Sequence, residues 1–336
     1  MKEKMLFVAP LTRYHGQGSV SIHAKKTLEI KYDLKIINSY VESYSIFNHF
    51  VILLRIILNC RKFKYIYFTP SRNFFSSTRD FLLLLIAKKD ANIVGHLHGS
   101  DLFNFLNHRS VYHKYLFLLY RLKLNKLIIL SESHSKYALG NEFDRYEIIN
   151  NPLEIDLSLS KETNTHELTE IKFCTISNPI KSKGLERSIN FISKRFNNHN
   201  WHLDIIGWTR IDYEKTYNKE INPKLLNKLT FHGRKDGYEK YKLLLNSSYF
   251  IFLSYYKSEA QPIVLFEALL SGCKIVVSDF KMLKDFKKYN NVYMDYEINT
   301  EKKVQEFIKQ DYKNDNSLKK DLSLKNFNLR LNNAFI

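Results

Sequence analysis

Strand-length apolar runs alternate with helical runs along most of the sequence, and this rhythm restricts the possible fold more than any other feature. In the first half the apolar runs are Met5–Ala9, Leu34–Ile37, Tyr65–Phe68, Asn92–His98, Leu127–Leu130 and Tyr146–Ile149. Strands joined by helices form a parallel sheet, and strands that are apolar on both faces lie between two helical layers. The sequence therefore predicts an α/β fold with a doubly wound, Rossmann-like sheet.

The polar segment Pro152–Glu170 interrupts this rhythm, which then starts again. The later apolar runs are Lys172–Ile176, His202–Ile206, Leu229–His232, Tyr249–Ser254 and Lys274–Ser278. We therefore predict two Rossmann-like domains, 1–152 and 171–320, that face a central cleft. Residues 153–170 are the expected linker, and 321–336 the expected C-terminal helix, able to pack back on the first domain. Ligands of such sheets bind at the carboxyl ends of the strands, so the site is expected there.

The net charge of +18 is unusually basic for a chain of this length. Such a surface attracts polyanions, namely nucleic acid, anionic lipid headgroups or phosphate-rich substrates. AT-rich coding, which favours lysine, asparagine, isoleucine and tyrosine, is an alternative cause. The predicted helix Val111–Leu124 is amphipathic, aromatic and basic, which suits either an anionic membrane surface or a core helix with a cationic edge. The sequence contains no motif of a nucleic-acid-binding module, so nucleic acid is not an expected partner.

Cysteine usage and hydropathy both favour a cytoplasmic protein. The three cysteines are far apart and form no disulfide framework or metal-binding pair, which fits a reducing compartment. The first apolar run is typical of a strand, not of a signal peptide. The predicted amphipathic helix Ile46–Cys60 is shorter than the roughly 20 residues that span a bilayer. We expect a cytoplasmic protein, soluble or peripheral at the inner face of the cell membrane.

The stretch Ser258–Gly272 has the residues of a loop that enters a helix at the end of a strand. Pro262 suits the first helical position, and Gly272 suits the position just after the last turn. The loop and the helix start therefore present free backbone N–H groups, which form an anion site. Glu259 and Glu267 are suited to accept hydrogen bonds from sugar hydroxyls. Alternatively, one is a solvated glutamate and the other caps the helix.

The spacing of Glu259 and Glu267 resembles the E-x7-E signature of retaining GT-B glycosyltransferases of family 4. Further segments resemble landmarks of that family in the same order: Gly16-x-Gly18, His96–Gly99, Ile148–Pro152, Asn178–Gly184, Ile205–Gly207 and Phe231–Gly233. The resemblance covers about residues 5–280. It implies a retaining transferase whose second domain holds a UDP- or GDP-linked sugar, and no cofactor besides that donor.

The resemblance also implies roles for individual residues. Glu259 would contact the transferred sugar, Glu267 the ribose hydroxyls, and Lys183 the diphosphate. Other implied contacts are His98 near the donor sugar, the backbone of Gln261, Pro262, Ile263 and Val264 at sugar and phosphate oxygens, Gly207 at its strand end, and a close loop approach at Gly16 or Gly18. Asp101, near His98, could orient that histidine but is better suited to cap the next helix.

One departure from the family pattern concerns the phosphate clamp. Asn178 stands where the family has an arginine, so we expect Lys181 or Arg234 to replace that cation. The sequence contains no D-x-D pair, the usual metal-binding signature of other transferases, so no metal is expected. His96 and His98 could hold zinc in principle, but no cysteine or carboxylate cluster accompanies them.

The resemblance therefore favours transfer of a sugar to a hydroxyl of a glycan or lipid-linked acceptor, in bacterial surface-polysaccharide biosynthesis. Two alternatives stay open. The first is another GT-B enzyme, either a sugar-nucleotide epimerase or a phosphorylase. The second is a non-catalytic basic protein that binds nucleic acid or anionic glycan.

Overall fold

The computed structural model describes residues 2–12, 16–40, 45–138, 143–153, 170–312 and 316–336. The chain divides into two compact units, one made of Met1–Glu154 with Lys320–Ile336 and the other of Ile155–Lys319. Each unit contains one six-stranded parallel sheet flanked by helices. The predicted fold class, α/β with two doubly wound parallel sheets, is confirmed. The predicted linker, 153–170, lies almost entirely outside the described residues.

The first unit has the strand order β2-β1-β3-β4-β5-β6. Its elements are β1 (Glu3–Ala9), α1 (Gly16–Lys31), β2 (Tyr32–Asn38), α2 (Ile46–Asn59), β3 (Tyr65–Phe68), α3 (Phe74–Ile86), β4 (Asn92–His96), α4 (Leu102–Leu106), α5 (Val111–Lys123), β5 (Lys126–Ile129), α6 (Glu132–Ala138) and β6 (Tyr146–Ile148). The central strands are buried on both faces, as their apolar sequences predict.

The second unit has the strand order β12-β11-β10-β7-β8-β9. Its elements are β7 (Ile171–Ile176), α7 (Leu185–Arg195), β8 (Trp201–Ile206), α8 (Arg210–Tyr217), β9 (Leu229–Gly233), α9 (Gly237–Leu245), β10 (Tyr249–Phe252), α10 (Ile263–Leu270), β11 (Lys274–Val277), β12 (Val292–Met294), α11 (Glu301–Lys309) and α12 (Asn316–Asp321). The chain builds outward from β7 in one direction and from β10 in the other. The crevice at the carboxyl ends of these two strands is therefore the position at which such a sheet binds ligands.

The C-terminal residues return to the first unit through helix α13 (Leu324–Asn333), which packs on α1. The hydroxyl of Thr27 donates to Asn328 at 2.6 Å, and the guanidinium of Arg330 donates to the carbonyl of Ile148 at 2.6 Å. Ser323 begins this helix, because its side chain accepts a hydrogen bond from the backbone N–H of Asn326. These contacts attach the end of the chain to helix α1 and to the edge strand β6.

No helix in the described ranges is both long enough and apolar enough to cross a membrane. Helix α2 has apolar residues on its core side and also on its solvent side. Ile52 and Ile56 face the core, whereas Phe47 and Phe50 are exposed.

Candidate functional site

The loop after β7 lies against the loop after β10 in the second unit. Gly184 ends a short 3-10 turn over Lys181–Lys183 with φ of +76°, and a β-carbon there would lie 2.0 Å from the carbonyl oxygen of Leu253. The backbone N–H of Tyr255 donates to the carbonyl of Ser182 at 2.8 Å. A glycine is required for this close approach. The two loops are thereby held together at the strand ends where the topology predicts a ligand crevice.

Lys183 and Glu259 form an ion pair in this crevice, with 2.6 Å between Nζ and Oε2. The side chains are only 15% and 10% exposed. The hydroxyl of Ser254 donates to the same carboxylate oxygen at 3.2 Å, and the ammonium group lies 4.8 Å from the ring centroid of Tyr256. The predicted diphosphate cation and the predicted sugar carboxylate thus occupy one site, where each neutralises the other.

Helix α10 begins just beyond this pair. Pro262 is its N-cap residue and not its first helical residue, so the helix begins one residue later than predicted. The proline makes no side-chain capping hydrogen bond. The first N–H groups of an α-helix, here those of Ile263 and Val264, have no intrahelical acceptors. The helix start therefore offers backbone donors and the positive end of its dipole to an anion.

Gly272 ends helix α10 as the sequence predicts, with φ of +79°. The N–H of Cys273 donates to the carbonyl of Ala268, and the N–H of Gly272 donates to that of Leu269, each at 3.0 Å. These two bonds form a Schellman motif. The length of the helix, and with it the position of Glu267, is fixed by this glycine.

Glu267 lies on α10 in a second ion pair. Its Oε1 atom accepts from Lys240 at 2.7 Å and from the hydroxyl of Tyr241 at 3.2 Å. Its Oε2 atom is buried and has no hydrogen-bond partner among the described residues. A buried acceptor without a donor is costly unless a ligand supplies one. Lys240 could not be predicted from the sequence, because it lies on another helix, 27 positions from Glu267, and the pair forms only in the folded chain.

The other predicted residues of the second unit do not join this cluster. Arg234 forms an exposed ion pair with Asp236 at 2.9 Å. Asn178 and Lys181 are exposed in the loop after β7. Gly207 has φ of +90° and approaches the backbone of the same loop, so its glycine serves strand-end packing.

In the first unit, two histidine rings lie against each other at the end of β4 and in the loop that follows it. The ring centroids of His96 and His98 are 4.1 Å apart, and Nδ1 of His96 is hydrogen-bonded to the hydroxyl of Tyr67 at 2.8 Å. Burial lowers the pKa of His96 to about 3. Burial is also the largest cause that holds the pKa of His98 well below its usual range, and the positive charge of Arg72 adds to this effect. Both rings are therefore neutral near pH 7, and Nε2 of each is buried without a partner among the described residues.

The loop after β4 is held by an arginine that the sequence did not indicate. The guanidinium of Arg72 lies against Gly99 and pairs with Asp101 at 2.7 Å. Asp101 is the N-cap residue of α4, but its side chain makes no capping hydrogen bond, so the predicted capping role is wrong. The carboxylate of Asp101 forms its ion pair with Arg72 instead.

Gly16 and Gly18 lie in the first turn of α1, not in a loop before it as predicted. A β-carbon on Gly18 would lie 2.2 Å from the carbonyl oxygen of Thr12. A glycine at this position therefore lets the segment that follows β1 pack closely against the helix. Residues 13–15, between them, are outside the described part of the chain. Within the described ranges, no group of three or more histidine, cysteine, aspartate or glutamate side chains could hold a metal ion.

Comparisons with known proteins gave one family match and several solved structures of similar fold. Residues 158–320 match the family model described as glycosyl transferases group 1. A glycosyltransferase from Rickettsia africae is 15% identical with a TM-score of 0.68, covering 99% of this chain and 94% of that one. The Anabaena protein HepE, in a structure described as a complex with UDP-glucose, is 13% identical with a TM-score of 0.66, covering 98% of each chain.

The lipopolysaccharide outer core galactosyltransferase WaaB is 15% identical with a TM-score of 0.67, and the match covers 98% of each chain. The comparison with curated protein sequences gave no match. At these identities the structural likeness shows the fold, and the family model matches most of the second unit. The chain has the GT-B glycosyltransferase fold, and its second domain matches the glycosyl transferases group 1 family.

Proposed function

We propose that the protein is a retaining, metal-independent glycosyltransferase that moves a sugar from a UDP- or GDP-linked donor to an acceptor hydroxyl. The acceptor is a glycan or a lipid-linked glycan of bacterial surface-polysaccharide biosynthesis, reached from the cytoplasm. The observation that carries the proposal is the buried Lys183–Glu259 pair beside the start of α10, at the switch point of the second sheet.

The donor diphosphate competes with Glu259 for Lys183. Cleavage of the bond between the sugar C1 and the phosphate oxygen leaves negative charge on the nucleotide. Lys183 and the free backbone amides of α10 stabilise that negative charge. In other transferases a metal ion stabilises it. As the phosphate takes the ammonium group, the carboxylate of Glu259 becomes free to accept hydrogen bonds from the sugar hydroxyls.

Glu267 suits the ribose. Its Oε2 atom is buried and has no hydrogen-bond partner among the described residues. A ribose hydroxyl that donates to this atom removes the desolvation penalty of a buried acceptor without a donor. For His98 we propose a neutral hydrogen-bonding role near the donor sugar. In the reaction the acceptor oxygen bonds to C1 on the face that the phosphate leaves, and the acceptor proton passes to a phosphate oxygen, so no enzymic nucleophile is required.

The experiment is a panel of UDP- and GDP-sugars incubated with the purified protein and a chelator, with release of free nucleotide as the readout. Release from one donor in the presence of chelator supports the proposal. If no donor is cleaved and only oligonucleotides stabilise the protein, with the effect lost in moderate salt, the chain is a basic binding protein and the proposal fails.

A further inference from the structure

Helix α2 presents large apolar side chains to solvent. Phe47, Phe50, Leu54 and Ile57 follow one face of the helix at intervals of three and four residues, and Phe47 is 72% exposed. The opposite face is buried in the core through Ile52 and its neighbours. The outer face of a surface helix is ordinarily polar, so this second apolar stripe requires a partner.

Helix α5 repeats the pattern. Val111, Tyr115, Leu118 and Leu122 lie on one exposed stripe, spaced four, three and four residues apart. In the same helical layer α2 packs on α3, and α3 packs on α5. Helix α3 adds further exposed residues, Phe74, Phe75 and Leu85. We name the outer surface of these three helices the apolar face.

A cationic groove lies at one end of the apolar face. It has a volume of about 610 Å³ and is lined by four cations, together with Leu85, Ile86, Ala87 and Leu122. The cations are Arg61, Lys88, Lys89 and Lys123. Among the described residues, no acidic side chain lines the groove. Phosphate oxygens are the natural ligands of such a cluster, and the leucines beside it suit the acyl region below a headgroup.

The surrounding sequence has the same bias. Residues 45–131 contain 13 lysines and arginines but only three aspartates. Of the three, Asp80 is buried and Asp101 is bound to Arg72, which leaves Asp90. An apolar surface bordered by cations, with almost no exposed acid, is complementary to an anionic bilayer.

We propose that the apolar face docks on anionic phospholipid bilayers. The stripes on α2 and α5 enter the boundary between headgroups and acyl chains, and the groove holds lipid phosphates. A second copy of this chain is a poorer occupant, because symmetric pairing of the apolar faces would bring two cationic grooves onto the same interface. The proposal does not depend on the donor chemistry, so it stands or fails separately from the proposed function.

The test is co-sedimentation of the full chain with vesicles of phosphatidylcholine alone or mixed with phosphatidylglycerol, at about 0.1 M salt. We expect binding only to the phosphatidylglycerol vesicles. Lys88→Ala with Lys89→Ala should weaken binding roughly thirtyfold, since each cation near an anionic surface contributes a factor of roughly five. The matched control is Lys302→Ala with Lys303→Ala on α11, which should bind as the parent does.

A second variant, Phe47→Ser with Phe50→Ser, tests the apolar contribution and should weaken binding roughly tenfold or more. Both residues are exposed, so the thermal midpoint of this variant should match that of the parent, and donor cleavage without vesicles should be unchanged. Equal binding to both vesicle types, or equal binding of the two lysine variants, overturns the proposal. So does a dimer in solution that the phenylalanine variant dissociates while vesicle binding is absent.

Discussion

Replacing Lys240 by methionine tests whether the buried pair on α10 has the energetics that its geometry implies. Lys240 and Glu267 are 17% and 7% exposed, and the change leaves the carboxylate without its cation. Removal of one partner of a fully buried pair costs about 3–5 kcal/mol. Tyr241 still donates to Oε1 and the lysine keeps some contact with water, so we expect about 2–3 kcal/mol.

The assay is urea unfolding monitored by a probe in the second unit, with Lys303→Met as the control. Lys303 pairs with Glu306 on the exposed surface of α11, where water and salt screen the attraction and such pairs contribute little to stability. The double variant Lys240→Met with Glu267→Gln should recover part of the loss, because it no longer buries an uncompensated charge. Equal unfolding free energies for Lys240→Met and Lys303→Met would refute the reasoning.

Three further predictions concern other parts of the fold. Gly184→Ala should destabilise the second unit by about 1–3 kcal/mol in urea unfolding and abolish nucleotide binding, because its φ is +76° and its β-carbon would meet backbone. Arg79→Met should cost the first unit about 3–5 kcal/mol by the same measurement, because Asp80 is completely buried beside it; a loss below 1 kcal/mol would contradict this. Burial holds the pKa values of His96 and His98 below that of an unfolded histidine, so the unfolded state binds protons first as the pH falls. Stability should therefore decrease as the pH drops below about 6.5, toward the folded pKa of His96 at about 3. Unfolding measured from pH 7 to 4.5 should show a shallower decline for His96→Gln with His98→Gln than for the parent.

The alternation of strands and helices could be predicted from the sequence because buried parallel strands are nearly uniform in hydropathy. The exceptions were weak elements. Strand β12 has three residues, and helix α8 is polar on most of its surface, so neither gave a periodic signal. The start of α1 was also placed too late, because glycines in its first turn resemble a loop.

The loop and helix around Glu259 were predictable because proline and glycine mark the ends of α10 in the sequence. Pairings between distant positions were not predictable. Arg72 and Asp101 lie in the loops that follow two neighbouring strands, β3 and β4, and form an ion pair. Lys240 on α9 forms an ion pair with Glu267 on α10. The second apolar stripe of α2 was also hidden, because an apolar residue in a sequence does not reveal which side of the helix faces solvent.

The measurement that tests the central claim most directly compares two lysine–glutamate pairs in the nucleotide-release assay. Lys183→Met and Glu259→Gln disrupt the pair in the crevice, whereas Lys303→Met and Glu306→Gln disrupt the surface pair on α11. We predict that each crevice variant lowers donor turnover about a hundredfold and that each surface variant leaves it unchanged. Turnover at the parent level in both crevice variants would contradict the account.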